Sequence, residues 1–355
     1  MVKLSVCMIV KNEEDVIGRC LECVKKFADE IIIVDTGSTD KTKEIVSKYT
    51  KKIYDYIWND NFADARNFSF SKATKEYLMW LDADDVIQKD EIEKIKALKK
   101  NIDKTVDIYM LKYNVGFDSE GKPNFTYYRE RIVKGEKQYK WVGPIHEAIP
   151  PVGNIKFVDI SIDHKKVHST EKGRNLRIFK KMIDENIEFS ARQQYYYARE
   201  LYYNEQYDDA IENFNKFLDN KEATLENKIN ACLELSKCYK IKMDINNSIF
   251  SLFRSFEYDT PRPEVCCNIG NHFFDNRNYE LAIFWYRFAS TRSIKNETNA
   301  FFNMDYHKFI PYMQLCLCYY RIGNIEKAKL YNRKAEKIKP NDKSVIHNKN
   351  FFDKL

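Results

Sequence analysis

The sequence predicts an α/β domain with a mixed sheet over residues 1–172, followed by an all-α domain of helical repeats over residues 173–355. Three observations carry this reading. The first half alternates short β-rich apolar runs with helical stretches and acidic loops. From about Gly173 the pattern turns helical, and Tyr, Ala and Leu then recur at intervals of three and four residues. A chain of 355 residues is also long for one compact domain, since folded units cluster at roughly 100–200 residues.

The elements of the first half follow in order. Leu4–Val10 is an apolar strand, residues 13–26 have helical periodicity, and residues 30–34 form a second buried strand running into Asp35-Thr36-Gly37-Ser38-Thr39-Asp40. Thr39 or Asp40 caps a helix that runs towards Tyr49. Residues 53–58 read as a third strand, residues 65–74 as a helix, and residues 77–81 as a fourth strand that stops at Asp82-Ala83-Asp84-Asp85. Such βαβ alternation implies parallel strands with ligand loops at their carboxyl ends. Residues 107–117 and 127–133 predict a hairpin around Asp118-Ser119-Glu120-Gly121, and Val158, Ile160, Ile162 and His164 alternate onto one face of a later strand. Added antiparallel strands make the sheet mixed.

Composition excludes several classes. Hydrophobic residues at 44% and aromatics at 14% build ordinary cores, against wholesale disorder or a fibrous repeat. The net charge of +6 comes from scattered Lys and Arg, so no nucleic-acid partner is expected. No apolar stretch approaches the roughly 18 residues of a membrane span, and the N-terminal apolar run is broken by Lys11. Nine Cys without a secretion signal predict reduced thiols and a cytoplasmic location; the lone pair Cys20 and Cys23 reads as structural thiols.

The acidic strand ends carry the chemistry. Asp82 and Asp84 leave a buried strand together, and two carboxylates spaced i, i+2 hold a hard divalent cation while leaving positions open for phosphate oxygens. Asp84 is the expected direct ligand, with Asp82 on a ribose or a metal-bound water. Asp35 ends another strand, where it hydrogen-bonds a nucleoside base or ribose or merely caps its own turn. Asp64-Ala65-Arg66-Asn67 opens a helix; Arg66 contacts a nucleotide or its diphosphate, or else is a surface Arg behind an N-cap. In Trp141-Val142-Gly143-Pro144-Ile145-His146-Glu147, His146 adds a nitrogen ligand, which manganese tolerates better than magnesium.

The second half carries a weak internal repeat. Tyr207, Ala210 and Phe214 have the spacing of Tyr279, Ala282 and Tyr286, and Ala198 and Gly270 fall twelve positions before Ala210 and Ala282. Ser236 and Ser248 mark a degenerate copy between these, Ala328, Ala335 and Pro340 a terminal one, and residues 296–306 an insertion. The unit of about 34 to 36 residues resembles the tetratricopeptide repeat.

The motifs of the first half, LSVCMIVKN at residues 4–12, VDTGSTD at 34–40, NFADARN at 61–67, LDADD at 81–85 and the Ile-His-Glu of 145–147, together resemble the inverting, metal-dependent glycosyltransferases of the GT-A family-two group. The likeness is closer to a subgroup with a tetratricopeptide tail, which includes S-glycosyltransferases that modify cysteines of bacteriocin peptides. That subgroup's Asn-Asp-Phe-x-x-Ala-Arg-Asn motif maps onto residues 59–67, with the order altered to Asn59-Asp60-Asn61-Phe62.

This resemblance implies a nucleotide sugar, UDP-hexose first, bound by Val10, Asn12, Glu13, Asp35, Arg66, Asp82, Ala83 and Lys172. It implies Mn²⁺ or Mg²⁺ at Asp84 and His146, and Glu147, or else Asp85, as the base that activates the acceptor. The acceptor is expected to be a peptide or protein, with a saccharide or lipid-linked envelope glycan as the alternative. The repeat domain serves acceptor capture or a homodimer. A reading from another class is a non-catalytic scaffold with a decayed transferase half. His164, with Lys172, Arg174 and Asn175, is read as a hydrogen-bonded hinge between domains that also approaches the diphosphate, and His168 as surface.

Overall fold

The computed structural model describes residues 2–118, 120–167, 171–292 and 302–355. Two compact units emerge: Met1–Phe117 with Thr126–Glu188, and Asp118–Phe125 with Phe189–Leu355.

The first unit is built on strands β1 (Leu4–Val10), β2 (Glu30–Asp35), β3 (Ile53–Asp55), β4 (Tyr77–Trp80), β5 (Asp85–Val86), β6 (Ile108–Phe117), β7 (Pro123–Lys134) and β8 (Ile155–His164). They lie in the order β3-β2-β1-β4-β7-β6-β8-β5. β1, β2, β3 and β4 are mutually parallel where they pair, β7 runs antiparallel to β4, and β5 runs antiparallel to β8. This is the mixed α/β sheet that the alternation predicts. The two-residue period of a strand sorts its side chains into two cores. Val6, Met8, Ile33, Met79, Tyr109 and Leu111 pack on one face with Ile17 and Leu21. Cys7, Ile32, Trp80, Ile108 and Met110 pack on the other with Phe70 and Trp141.

The helices are α1 (Ile17–Val24), α2 (Thr42–Val46), α3 (Phe62–Ser71), α4 (Lys89–Lys100) and α5 (Arg174–Asp184). The helical periodicity of residues 13–26 condenses to α1, preceded by a turn in which the Val16 and Ile17 amides reach the Glu13 carbonyl. α3 begins earlier than its apolar pattern indicates, because the Asn61 side chain accepts the Asp64 amide at 3.1 Å and caps it. α5 falls in the first unit, and the division follows Glu188.

The second unit holds α6 (Ala191–Tyr203), α7 (Tyr207–Leu218), α8 (Leu225–Ile241), α9 (Ile245–Arg254), α10 (Pro263–Asp275), α11 (Tyr279–Thr291), α12 (Phe309–Arg321), α13 (Ile325–Glu336) and α14 (Lys343–Phe352), with a short strand β9 (Phe302–Asn303). α6/α7, α8/α9, α10/α11 and α12/α13 pack as consecutive pairs. Small buried residues sit twelve positions apart within each pair: Ala198 and Ala210, Ser236 and Ser248, Gly270 and Ala282, Cys316 and Ala328. The two serine hydroxyls meet at 3.0 Å, and a Cβ added at Gly270 would lie 2.6 Å from the Tyr286 ring. This is a tetratricopeptide-like array, α-helical as predicted. Of the expected insertion, residues 296–301 lie outside the described residues, and His168 does too; the rest of the insertion is β9 and a single helical turn, Met304–His307. The hairpin tip groups with this unit, where Asn341 donates to Glu120 at 2.6 Å and Asn124 to Asp305 at 3.3 Å. All nine cysteines are free thiols, and no described helix is long and apolar enough to cross a membrane.

Candidate active site

The site is built on the turn that leaves β4. The Asp82 amide donates to Asp85 Oδ2 at 3.0 Å and the Asp85 amide to the Asp82 carbonyl at 3.1 Å, so the acidic turn closes on itself. Asp85 is fully buried and pairs at 3.0 Å with Arg131, which is also fully buried. The Arg131 guanidinium lies 3.6 Å from the Trp80 ring centroid and 4.1 Å from that of Tyr113, and donates to the Trp80 carbonyl at 3.1 Å. This corrects the expectation of Asp85 as an alternative base. A base must reach the acceptor, and a sealed carboxylate paired with Arg131 does not.

β5 pairs antiparallel with β8 so that Asp85 stands opposite His164. This register brings the imidazole to the acidic turn. His164 Nδ1 lies 3.2 Å from Asp84 Oδ1 and 3.5 Å from Asp85 Oδ1. Among the described residues, Asp84, Asp85 and His164 are the one group of three whose metal-ligating atoms all fall within 4.8 Å of one another. Burial opposes charge on His164, but hydrogen bonds to Asp84 and Asp85 prevail and raise its pKa to about 10. Arg19 of α1 donates to the Asp84 carbonyl at 3.3 Å and also to the Lys165 carbonyl, tying the turn to the end of β8.

His146, expected as the nitrogen ligand, is not in this group. Its backbone turns through a positive φ of 51°, and its ring stacks against Phe179 of α5 with centroids 6.4 Å apart. The imidazole beside Asp84 is His164 instead. Strand alternation already marked His164 in the sequence, but nothing there signalled that the two-residue β5 pairs with β8.

Glu147 reaches the acidic turn through Arg66. Arg66 donates Nε–H to Glu147 Oε1 at 2.7 Å and Nη2–H to Asp82 Oδ1 at 2.8 Å. Arg66 is 8% exposed, and its guanidinium lies 5.0 Å from the Trp80 ring centroid and 4.7 Å from that of Trp141. Burial opposes ionisation of Asp82, yet Arg66 and Arg131 hold its carboxyl well below the usual range. Two contacts fix α3 against the Gly-Pro bend: the Phe62 amide donates to the Pro144 carbonyl at 2.9 Å, and the Asn67 side chain bonds both backbone groups of Trp141 at 3.0 and 2.9 Å. Arg66, expected against the nucleotide, therefore has two of its nitrogens committed to carboxylates.

The carboxyl ends of β1 and β2 form a second cluster. Val10 lies opposite Asp35, and its carbonyl accepts the Thr36 amide at 2.9 Å. Asn12, at a positive φ of 54°, accepts the Thr39 amide at 2.8 Å and donates its own to Ser38 Oγ at 3.0 Å. The Glu13 amide donates to Thr42 Oγ1 at 2.7 Å. Asp35 is 1% exposed; its Oδ2 accepts the Gly37 and Ser38 amides at 3.1 and 3.0 Å, while its buried Oδ1 has no hydrogen-bond partner. Ala83 is buried between Asp82 and Asp84, and Lys172 lies exposed in the turn before α5.

Residues 5–152 match glycosyl transferase family 2. The first unit carries a family 2 glycosyltransferase domain. The matched span holds Asp35, Arg66, the Asp82–Asp85 turn and Glu147, and ends before β8 and His164. The chain is 41% identical over 85 residues to a TPR repeat-containing protein of Synechococcus elongatus, covering 24% of this chain and 21% of that protein. It is 26% identical over 238 residues to the glycosyltransferase SunS of Bacillus subtilis strain 168, covering 60% of this chain and 52% of SunS. Similarity to the lipopolysaccharide core biosynthesis glycosyltransferase LpsC of Rhizobium meliloti is 28% over 161 residues, covering 43% of this chain and 58% of LpsC. The chain thus spans little more than half the length of these relatives, or less. Among solved structures, S. aureus TarS residues 1–349 in complex with UDP-GlcNAc superposes with a TM-score of 0.40 at 16% identity, covering 69% of this chain and 89% of that one.

Proposed function

We propose that the chain is an inverting glycosyltransferase that moves a hexose from a nucleotide sugar, UDP-hexose first, to a peptide or protein acceptor. The observation that carries this reading is the pairing of Asp84 with His164 at 3.2 Å, inside a family 2 glycosyltransferase domain and at the end of the strand where ligand loops emerge. A carboxylate beside an imidazole suits a divalent cation, and the nitrogen favours Mn²⁺ over Mg²⁺. Asp84 and His164 would hold that cation, which when bound neutralises the charge building on the departing diphosphate.

The nucleoside falls to the β1–β2 cluster. A buried carboxylate oxygen left without a donor is costly, and Asp35 Oδ1 is such an atom. An imide N–H of a pyrimidine base satisfies it, which supports a uridine donor. Val10, Asn12 and Glu13 shape the adjoining loop, while Asp82 and Ala83 border the ribose and Lys172 serves the diphosphate.

Inversion requires a hydroxyl or thiol to attack the anomeric carbon from the face opposite the leaving group, with a base in reach of its proton. We assign this to Glu147. Arg66 acts on the chain's own side of the reaction: it fixes Glu147 and Asp82 relative to each other, so that base and acidic turn are set by one guanidinium.

Tetratricopeptide arrays bind extended peptides along the faces of their paired helices, which supports a peptide acceptor and leaves homodimerisation as the array's second use. The name of LpsC supports the other acceptor class, a saccharide. Free thiols throughout suit a reducing compartment such as the cytoplasm. The test is nucleotide release from a panel of UDP-, GDP- and dTDP-sugars with and without Mn²⁺ or Mg²⁺. Metal-dependent release from one donor, lost in Asp84→Asn, supports the transferase, and that labelled sugar then separates peptide from saccharide acceptors in lysate. Silence with every donor, and no nucleotide binding by calorimetry, overturns it in favour of a non-catalytic scaffold.

A further inference from the structure

Arg192, Tyr196, Arg199 and Tyr203 fall at i, i+4, i+7 and i+11 of α6 and so share one face of that helix. Cations and rings alternate along it. The Arg192 guanidinium lies 4.7 Å from the Tyr196 ring centroid, and that of Arg199 lies 5.5 Å from the centroids of Tyr196 and Tyr203. Arg199 also reaches the next helix pair. Its Nε–H donates to Glu234 Oε1 of α8 at 3.0 Å and its Nη2–H to the Tyr203 hydroxyl at 2.8 Å, which leaves Nη1 without a partner among the described residues. Lys237, one turn beyond Glu234 on α8, is exposed, as are Arg192 and Tyr203.

The chemistry of this face is one-sided. Arg192, Arg199 and Lys237 bring positive charge, and the Tyr203 hydroxyl, which accepts from Arg199, keeps its own proton to give. Glu234, the acid bonded to Arg199, is 9% exposed, and Lys240 further along α8 already pairs with Asp275 at 2.7 Å. The face therefore offers donors and cations outwards, which carboxylates satisfy through charge-assisted hydrogen bonds. Glu234 Oε2 is buried without a hydrogen-bond partner, and a buried acceptor in that state is costly. A peptide supplies N–H donors as well as carboxylates, whereas a phosphodiester backbone supplies only acceptors.

We propose that this face of α6 and α8 docks an acidic segment of the peptide acceptor. This rests on the assignment of a peptide or protein as acceptor. Fluorescence anisotropy on the full chain tests it with labelled oligoglutamate, oligolysine and oligouridylate. Oligoglutamate is expected to bind and oligolysine not to. Arg192→Gln with Lys237→Gln removes two exposed cations without touching the Arg199–Glu234 pair, and is expected to weaken oligoglutamate binding about 5–10-fold. Arg199→Gln with Glu234→Gln removes the third cation together with its buried partner and is expected to weaken binding as well. Equal binding by wild type and the Arg192/Lys237 variant overturns the proposal. So does tighter binding of oligouridylate, which assigns the face to a nucleic acid. Metal-dependent nucleotide release, measured on the same samples, separates this site from the transferase reading. Oligoglutamate binding without release overturns the transferase alone, and release without oligoglutamate binding overturns the docking site alone.

Discussion

Arg131 and Asp85 pair at 3.0 Å with both side chains fully buried, directly behind the turn that carries Asp82 and Asp84. Arg131 Nε and Nη2 are buried without partners, so the pair already bears a desolvation cost, and its removal as a unit is tolerated better than its division. Arg131→Met is expected to lose about 3–5 kcal/mol of stability, because it strands a carboxylate in the core. Arg131→Met with Asp85→Asn recovers much of that loss. Urea unfolding of the two variants and wild type measures both; a single variant within about 0.5 kcal/mol of wild type, the ordinary scale of a surface change, would show that the pair is not enclosed.

Exchanging His146 for His164 as the metal-side imidazole gives a direct comparison. His164→Ala is expected to weaken Mn²⁺ binding at least about 10-fold, the order seen when a metal site loses a supporting group. His146→Ala is expected to leave Mn²⁺ binding unchanged, because its ring packs on Phe179. Calorimetric titration of both variants decides between the two histidines. The reverse ranking would return the ligand to His146.

Much of the transferase fold was legible because strands announce themselves by period and position. LSVCMIV and YLMW are continuous apolar runs, and the acidic residues just beyond them mark the ligand edge. The tail was legible through Ala198, Ala210, Gly270 and Ala282, since small residues at fixed spacing have little other reason to recur. What stayed hidden was long-range pairing. His164 and Asp84 are eighty residues apart and meet through β5, a strand of two residues that carries no pattern of its own. Arg131 and Tyr113 read as ordinary members of a hairpin; only the folded register shows them closing on Asp85. The fourth small-residue pair was half missed because the insertion displaces Cys316 from the repeat period.

Glu147→Gln keeps the size and an acceptor for Arg66 but removes the base. Loss of a positioned base typically costs about 10²–10⁴ in rate, so kcat with a hydroxyl acceptor is expected to fall by that order, while KM for the donor changes little. Steady-state kinetics with the donor that the nucleotide-release panel selects, and its acceptor, provides the check. A variant with wild-type kcat would leave Glu147 only its structural bond to Arg66 at 2.7 Å.

Glu30 gives the transferase unit an acid limit. It is buried at the start of β2 and accepts hydrogen bonds from Lys52, from Ser5, and from Thr74 through both amide and hydroxyl at 2.8 Å. Burial alone would raise its pKa, but these donors lower it from 4.5 to about 2. A folded-state pKa below the unfolded one means that the unfolded chain binds the proton more tightly. The stabilisation is complete above the unfolded value near 4.5 and disappears as pH falls towards 2. Glu30→Gln is therefore expected to be less stable than wild type at pH 7 by about 3 kcal/mol, with the gap closing below pH 4.5. Equal pH dependence of unfolding in the two proteins would exclude Glu30 as a source of the acid limit.

Gly270 tests the helical array independently of catalysis. The α10/α11 pair closes where Gly270 faces Tyr286, and an added Cβ would lie 2.6–2.9 Å from three atoms of that ring. Tyr286 is fully buried and its hydroxyl donates to Asn271 at 2.7 Å, so the ring has no free rotamer to retreat into. Ala favours a helix over Gly by roughly 1 kcal/mol, but overpacking typically costs about 1–3 kcal/mol, and here the obstructing atoms belong to a ring held at both ends. Gly270→Ala is thus expected to destabilise the protein despite its better helix propensity, and Gly270→Val to do so more severely. Thermal unfolding of both variants measures this, with metal-dependent nucleotide release as a readout for the transferase unit. A stabilised Gly270→Ala would mean that the helices separate at no cost, and that the small-residue spacing does not set how closely α10 and α11 pack.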